Sequence, residues 1–88
     1  MKQRYLEVTF RKGKALAAYL YLPRADGARV TRTVDSGHGL HVDLDKAGKA
    51  LGVEISAPSS VTVEELNAVL SAHGIGPLDP AEWAPLAA

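Results

Sequence analysis

The chain contains no cysteine, which removes disulfide bonds, thiol nucleophiles and cysteine-ligated zinc together and fits a reducing compartment. It also lacks an excess of either charge: 10 lysines and arginines balance 10 aspartates and glutamates, for a formal net charge of zero. A neutral chain exerts no long-range pull on the phosphates of nucleic acid or on an anionic membrane, so neither is expected as a partner. Apolar runs are short. None approaches the ~20 residues needed to cross a bilayer, and the opening MKQRYLEVTF has no apolar signal-peptide core, so a cytoplasmic protein is expected. Internal repeats and low-complexity tracts are absent as well.

What is present is the composition of a globular domain, 47% hydrophobic and 23% charged over 88 residues. That length supports one core with limited stability to spare. Leu6, Val8 and Phe10 alternate with Glu7 and Thr9, predicting a first strand, and Arg11-Lys12-Gly13 predicts a tight reversal. The second strand, about Lys14 to Leu22, places Leu16, Ala18, Leu20 and Leu22 on the core face and Ala15, Ala17, Tyr19 and Tyr21 on the other. Pro23 to Gly27 breaks the pattern and leads into a third strand with Val30 and Val34 facing the core. Arg32 shares their face by alternation and requires a bulge, a place at the sheet margin, or a paired interior charge. The fourth strand, His38 to Leu44, buries Leu40, Val42 and Leu44, and the fifth, Ala50 to Ser56, buries Leu51, Val53 and Ile55.

Residues opposite each other across a hairpin share a face, so the even-numbered apolar set of strand four must meet the odd-numbered set of strand five. An odd loop length is excluded unless a bulge intervenes. A four-residue loop, Lys46 to Lys49, sets Leu44 against Leu51 and His41 against Glu54.

After Ala57-Pro58-Ser59-Ser60 the period changes. Thr62 and Glu65 have the spacing of a capping box, Val61 and Leu66 that of a hydrophobic staple. Val63, Leu66, Val69 and Leu70 recur at helical spacing and Gly74 ends the helix. His73 falls in the last turn, where a protonated imidazole favours the negative end of the helix dipole. The expected fold is α+β: a five-stranded antiparallel meander with one C-terminal helix packed on one face. Residues 1–76 form the domain and 77–88 a proline-containing tail, in which Asp79-Pro80 starts one further turn and Trp83 and Leu86 cover a core margin.

The run from Val30 to Ile55, VTRTVDSGHGLHVDLDKAGKALGVEI, resembles the small bacterial domain-of-unknown-function family numbered 2283 (DUF2283). Ala15-Leu16 through Leu22 match its first element; Arg32-Thr33-Val34-Asp35, Val42-Asp43-Leu44-Asp45, Gly48 and Gly52-Val53-Glu54-Ile55 match its second. The resemblance implies a compact antiparallel sheet with a helix and brings no reaction with it. The chain departs from the family pattern at Gly37-His38, which looks like an insertion, and at His41, where an aliphatic residue is usual.

Several gatherings carry chemical residue types. Asp35, Ser36 and His38 are those of a hydrolase triad, yet a triad needs an in-line meeting beside an oxyanion hole, which four positions of one turn rarely supply. His41, Asp43 and Asp45 share one strand face and Glu54 joins them from across the hairpin, making His41, Asp43 and Glu54 weak candidates for holding zinc or manganese. The glycines of Ser36-Gly37-His38-Gly39 precede a strand rather than a helix, which disfavours a phosphate loop. No cofactor and no catalytic residue is expected.

Tyr5, Tyr19, Tyr21, Thr31 and Thr33 project opposite the helix and suit a contact surface. The reading favoured is a nonenzymatic protein-interaction or homodimerisation module, joined through Tyr19, Tyr21, Thr31 and Thr33 or through an open fifth strand at Val53 and Ile55. Alternatives are a small metal-dependent or hydrolytic enzyme using His38, His41 and Asp43, and a nucleic-acid-associated protein using Arg24, Arg29 and Arg32.

Overall fold

Lys12 and Gly13 both hold positive φ, 54° and 77°, the backbone of a type I′ two-residue turn whose twist matches that of the strands it joins. In the computed structural model, which describes residues 3–87, this turn closes β1 (Tyr5–Arg11) on β2 (Lys14–Tyr21) with Arg11 opposite Lys14. The remaining strands are β3 (Arg32–Asp35), β4 (Leu40–Leu44) and β5 (Ala50–Ile55). All pairings are antiparallel, and the order across the sheet is β1-β2-β5-β4-β3.

That order corrects the expected meander. β3, β4 and β5 do follow one another through hairpins, but β5 then returns beside β2, so β2 to β5 have a Greek-key arrangement read backwards along the chain. Three inter-strand steps of ~4.8 Å separate β2 from β3, and a connection of about ten residues spans up to ~33 Å when extended, so the crossover is sterically easy. Its ends are tied down: Leu22 N–H donates to Leu51 O (3.2 Å) and Thr31 N–H to Leu44 O (2.8 Å). The open edges are therefore β1 and β3, and β5 lies at the centre.

Two bulges revise the alternation. In β2 the pairing steps from Thr9↔Ala17 to Phe10↔Ala15, so Leu16 is the extra residue and is 54% exposed instead of buried. In β5 the register holds through His41↔Glu54, Val42↔Val53 and Asp43↔Gly52, then shifts to Leu44↔Ala50. His41 thus faces Glu54 as expected, while Ala50 takes the place opposite Leu44 that Leu51 was expected to fill. The loop runs from Asp45 to Lys49, an odd length made possible by the bulge. Asp45 organises it, its Oδ1 accepting from the backbone N–H of Ala47 and of Lys49 at 2.9 Å each.

β3 starts only at Arg32, so Val30, expected on the core face, lies before the strand and is 46% exposed. Arg32 pairs with Leu44 at the outer margin of this edge strand and is exposed, the second of its three expected placements.

The core gathers Ala18, Leu20, Leu22, Leu40, Val42, Leu44, Ala50, Val53 and Ile55 from the sheet with Val61, Leu66, Leu70 and Leu78 from the C-terminal part. α1 (Val63–Ala72) begins at the capping box, with Glu65 N–H donating to Thr62 Oγ1 (3.1 Å) and Thr62 N–H to Glu65 Oε1 (2.8 Å). It ends in a Schellman motif, Ile75 N–H donating to Leu70 O (2.9 Å) and Gly74 N–H to Ser71 O (3.0 Å).

A second helix, α2 (Pro80–Ala87), replaces the expected single turn. It has its own capping box: Glu82 N–H donates to Asp79 Oδ1 (2.9 Å) and Asp79 N–H to Glu82 Oε1 (3.0 Å). Arg4 fastens it to the start of β1, with Nε 2.6 Å from Glu82 Oε2 and its terminal nitrogens on the carbonyls of Gly76 and Pro77. Trp83 and Leu86 pack against the core margin together with Leu6 and Val8.

The Arg4 hydrogen bond, foremost, holds the Glu82 carboxyl below its ordinary range. A lowered folded-state pKa contributes stability above the ordinary carboxylate value that is lost as pH falls through the folded one. Glu82→Gln is accordingly expected to destabilise near neutral pH, with the difference from the parent chain closing in acid melts below about pH 4. A gap that stays constant from pH 7 to 3 would show that the Glu82 charge contributes nothing.

Candidate functional site

The open face of the sheet carries a network that draws side chains from four strands and passes over the fifth. Tyr19 pairs with Glu54 in β5, but its ring leans over Gly52: a Cβ built on Gly52 would lie 2.1 Å from Tyr19 Oη and 2.4 Å from Cζ. Only a residue without a side chain allows this close approach. The ring thereby passes over β5, and Tyr19 Oη donates to Asp43 Oδ2 on β4 at 2.6 Å. Thr33 on β3 donates to the other oxygen, Asp43 Oδ1, at 2.5 Å. Tyr21 meets Tyr19 edge-on, with centroids 4.7 Å apart, and stacks on Tyr5 of β1 at 4.6 Å. Its hydroxyl donates to Glu7 Oε1 at 3.2 Å.

Burial, then the hydrogen bond to Asp43, pushes the Tyr19 phenol up to about 12, while Arg24 pulls in the opposite direction. Tyr21 is also raised, by burial first and then by the Glu7 charge. Both phenols stay protonated donors near neutral pH, which suits them to hold carboxylates and unsuits them as bases. Arg24 reaches this side from the crossover, donating to Leu51 O at 2.6 Å, and its Nε is buried without a hydrogen-bond partner.

The expected gatherings are distributed differently. Asp35 closes the β3–β4 turn, its Oδ1 accepting from Gly37 N–H at 2.9 Å, so the carboxylate is engaged locally. His38, in the left-handed region at φ 55°, turns to α1, where Nδ1 lies 2.8 Å from Glu65 Oε2. His41 sits opposite Glu54 on the open face, whereas its neighbours Leu40 and Val42 point into the core shared with α1. The sheet therefore stands between His38 and His41. Asp43 has both oxygens occupied by Tyr19 and Thr33. Among the described residues no three of histidine, aspartate or glutamate are grouped to hold a metal ion.

His38 instead shares a shallow cleft of about 360 Å³ with Ser36, Glu65, Val69 and His73. Glu65 is held below the ordinary carboxylate range chiefly by the Thr62 backbone N–H, with His38 adding to the effect. The Thr62 capping pattern pointed to Glu65, but nothing local pointed to His38 as its neighbour.

The interface residues divide. Tyr19 and Tyr21 are half-buried and interlocked, and Thr31 and Thr33 are exposed. Val53 and Ile55, 1% and 0% exposed, face the core in a strand paired on both sides, so they cannot form an edge contact. The large exposed apolar side chains are Tyr5 (49%), Phe10 (50%), Leu16 and Val30. Three of these four lie on the β1–β2 hairpin, which the alternation pattern had assigned in part to the core. Beyond Ala18 β2 has no strand partner on its β5 side, so the outer half of that hairpin, from Thr9 to Ala17, extends past the rest of the sheet.

Among the described residues no helix is long and apolar enough to cross a membrane. Comparison with protein-family models, with curated proteins and with solved structures finds no significant match to this chain.

Proposed function

We propose that this chain is a nonenzymatic interaction module of the cytoplasm that self-associates through its β1–β2 hairpin. The carrying observation is the concentration of exposed Tyr5, Phe10 and Leu16 on a hairpin whose outer strand, β1, is an open sheet edge. An exposed edge with apolar side chains is a template for pairing with another chain, and a second copy supplies the same patch about a two-fold axis. The resemblance to DUF2283 domains, carried by Arg32–Asp35, Val42–Asp45, Gly48 and Gly52–Ile55, is part of the proposal and brings no reaction with it.

The tyrosine face serves this reading as a stiffener. The hydroxyls of Tyr19 and Tyr21 are already bound within the chain, so these rings brace β1 and β2 against the centre of the sheet. Light scattering at tens to hundreds of micromolar is the test. The parent chain is expected to show a dimer mass, and Phe10→Asp with Leu16→Asp to return it to monomer while leaving the fold intact by circular dichroism. A monomer across that range would overturn self-association.

A further inference from the structure

Resting on the self-association reading, we infer that two copies pair β1 with β1 in antiparallel fashion about a two-fold axis through Thr9, setting Glu7 opposite the second copy's Arg11 and Val8 opposite its Phe10. A two-fold joining antiparallel edges stands normal to the sheet and keeps the two core faces on one side. Opposed residues then share a face, so the axis must pass through a residue rather than between two. β1 offers few such centres. An axis at Glu7 opposes two carboxylates directly. At Val8 it places Glu7 against Thr9 and leaves Arg11 against Tyr5, with no ion pair formed. At Phe10 it shortens the overlap to three strand residues and sets Thr9 against Arg11.

Only the Thr9 axis joins opposite charges, and by symmetry it does so twice. The same register covers Phe10, half exposed in the single chain, with Val8, already partly buried at the core margin. Local structure prepares the strand for this. Glu7 is steadied by Tyr21 Oη on Oε1, which presents Oε2 to an incoming guanidinium. α2 is fastened at Arg4, on the far side of Glu7 from the axis, so the helices of the two copies lie at opposite ends of the shared seam. Five opposed residues per strand make a contact smaller than the ~1,200 Å² of a standard interface, so the association is a weak one.

The cysteine-free sequence makes the test direct. Residues facing each other across an antiparallel pair have Cα atoms ~4.5–5.5 Å apart, within disulfide reach. Under mild oxidation Thr9→Cys is expected to convert to a disulfide-linked dimer, while Glu7→Cys, Val8→Cys and Phe10→Cys, each too far from its own symmetry mate, stay largely unlinked. Glu7→Arg and Arg11→Glu should each weaken association about tenfold through like-charge opposition, and the double variant should restore it. A parent chain that remains monomeric overturns the self-association reading and this one together. A dimer in which all four cysteine variants link alike, another position links best, or the double charge variant fails to recover overturns the Thr9 register alone.

Discussion

Gly52→Ala is expected to lower stability by about 2 to 3 kcal/mol, although alanine is the better strand former. The new methyl would meet the rigid Tyr19 ring at 2.1–2.4 Å, and a phenol ring cannot flex at that end as a lysine would. It must rotate away, which breaks the 2.6 Å bond to Asp43 and the edge contact with Tyr21. Hydrogen bonds to a charged group contribute roughly 1.5–3 kcal/mol; part is regained here because water reaches this face. The diagnostic is a sign change. With Tyr19→Ser in place, the obstacle and the bond are both gone, and Gly52→Ala should stabilise by about 0.5–1 kcal/mol. Urea melts of the parent chain and the three variants measure the cycle, and an equal cost of Gly52→Ala in both backgrounds would show that the ring does not lie over Gly52.

Leu66→Ala is expected to cost about 2 to 5 kcal/mol, the range for a fully buried leucine that leaves a cavity. Leu66 has no solvent exposure and belongs to the same cluster as Leu20, Leu40 and Ile55. It also completes the staple with Val61 at the start of α1. For a domain of this length total stability is of order 5–10 kcal/mol, so the loss would bring the chain close to unfolding at 37 °C. Leu66→Met keeps the volume and should cost under about 1.5 kcal/mol. A loss below 1 kcal/mol for the alanine variant would mean that this side chain does not hold α1 to the core.

The contrast between these two positions bears on what the sequence made legible. Leu66, with Thr62 and Glu65, was readable because a helix start is written within four residues. The His41↔Glu54 pairing was readable for a similar reason, since face parity constrains a hairpin locally. Gly52 was not readable: its role depends on a tyrosine from another hairpin, and only strand order brings the two together. Strand order itself depends on which exposed edge of one hairpin meets which edge of another, a choice that local alternation does not encode. β5 did carry a signal, in that ALGVEI holds a single charged residue, Glu54, among five apolar or glycine positions. Such a strand suits the centre of a sheet, whereas the expected meander order put it at an open edge. Leu16 was misplaced because a bulge resets parity without a distinctive residue. The Arg4–Glu82 and His38–Glu65 pairs join segments far apart in sequence and leave no local pattern.

The backward Greek-key order has a kinetic side. The β1–β2 hairpin and the β3–β4–β5 unit each close over short loops, so each has cheap early contacts. Ala18↔Ile55 and Leu20↔Val53, by contrast, join opposite halves of the chain and become available only once both units exist. The β2–β5 seam is therefore expected to form after the two hairpin units, and it is also where Tyr19 crosses Gly52 to reach Asp43. One aromatic ring thus ties the two halves of the chain together, and its engagement with Asp43 is expected to report the step at which they join.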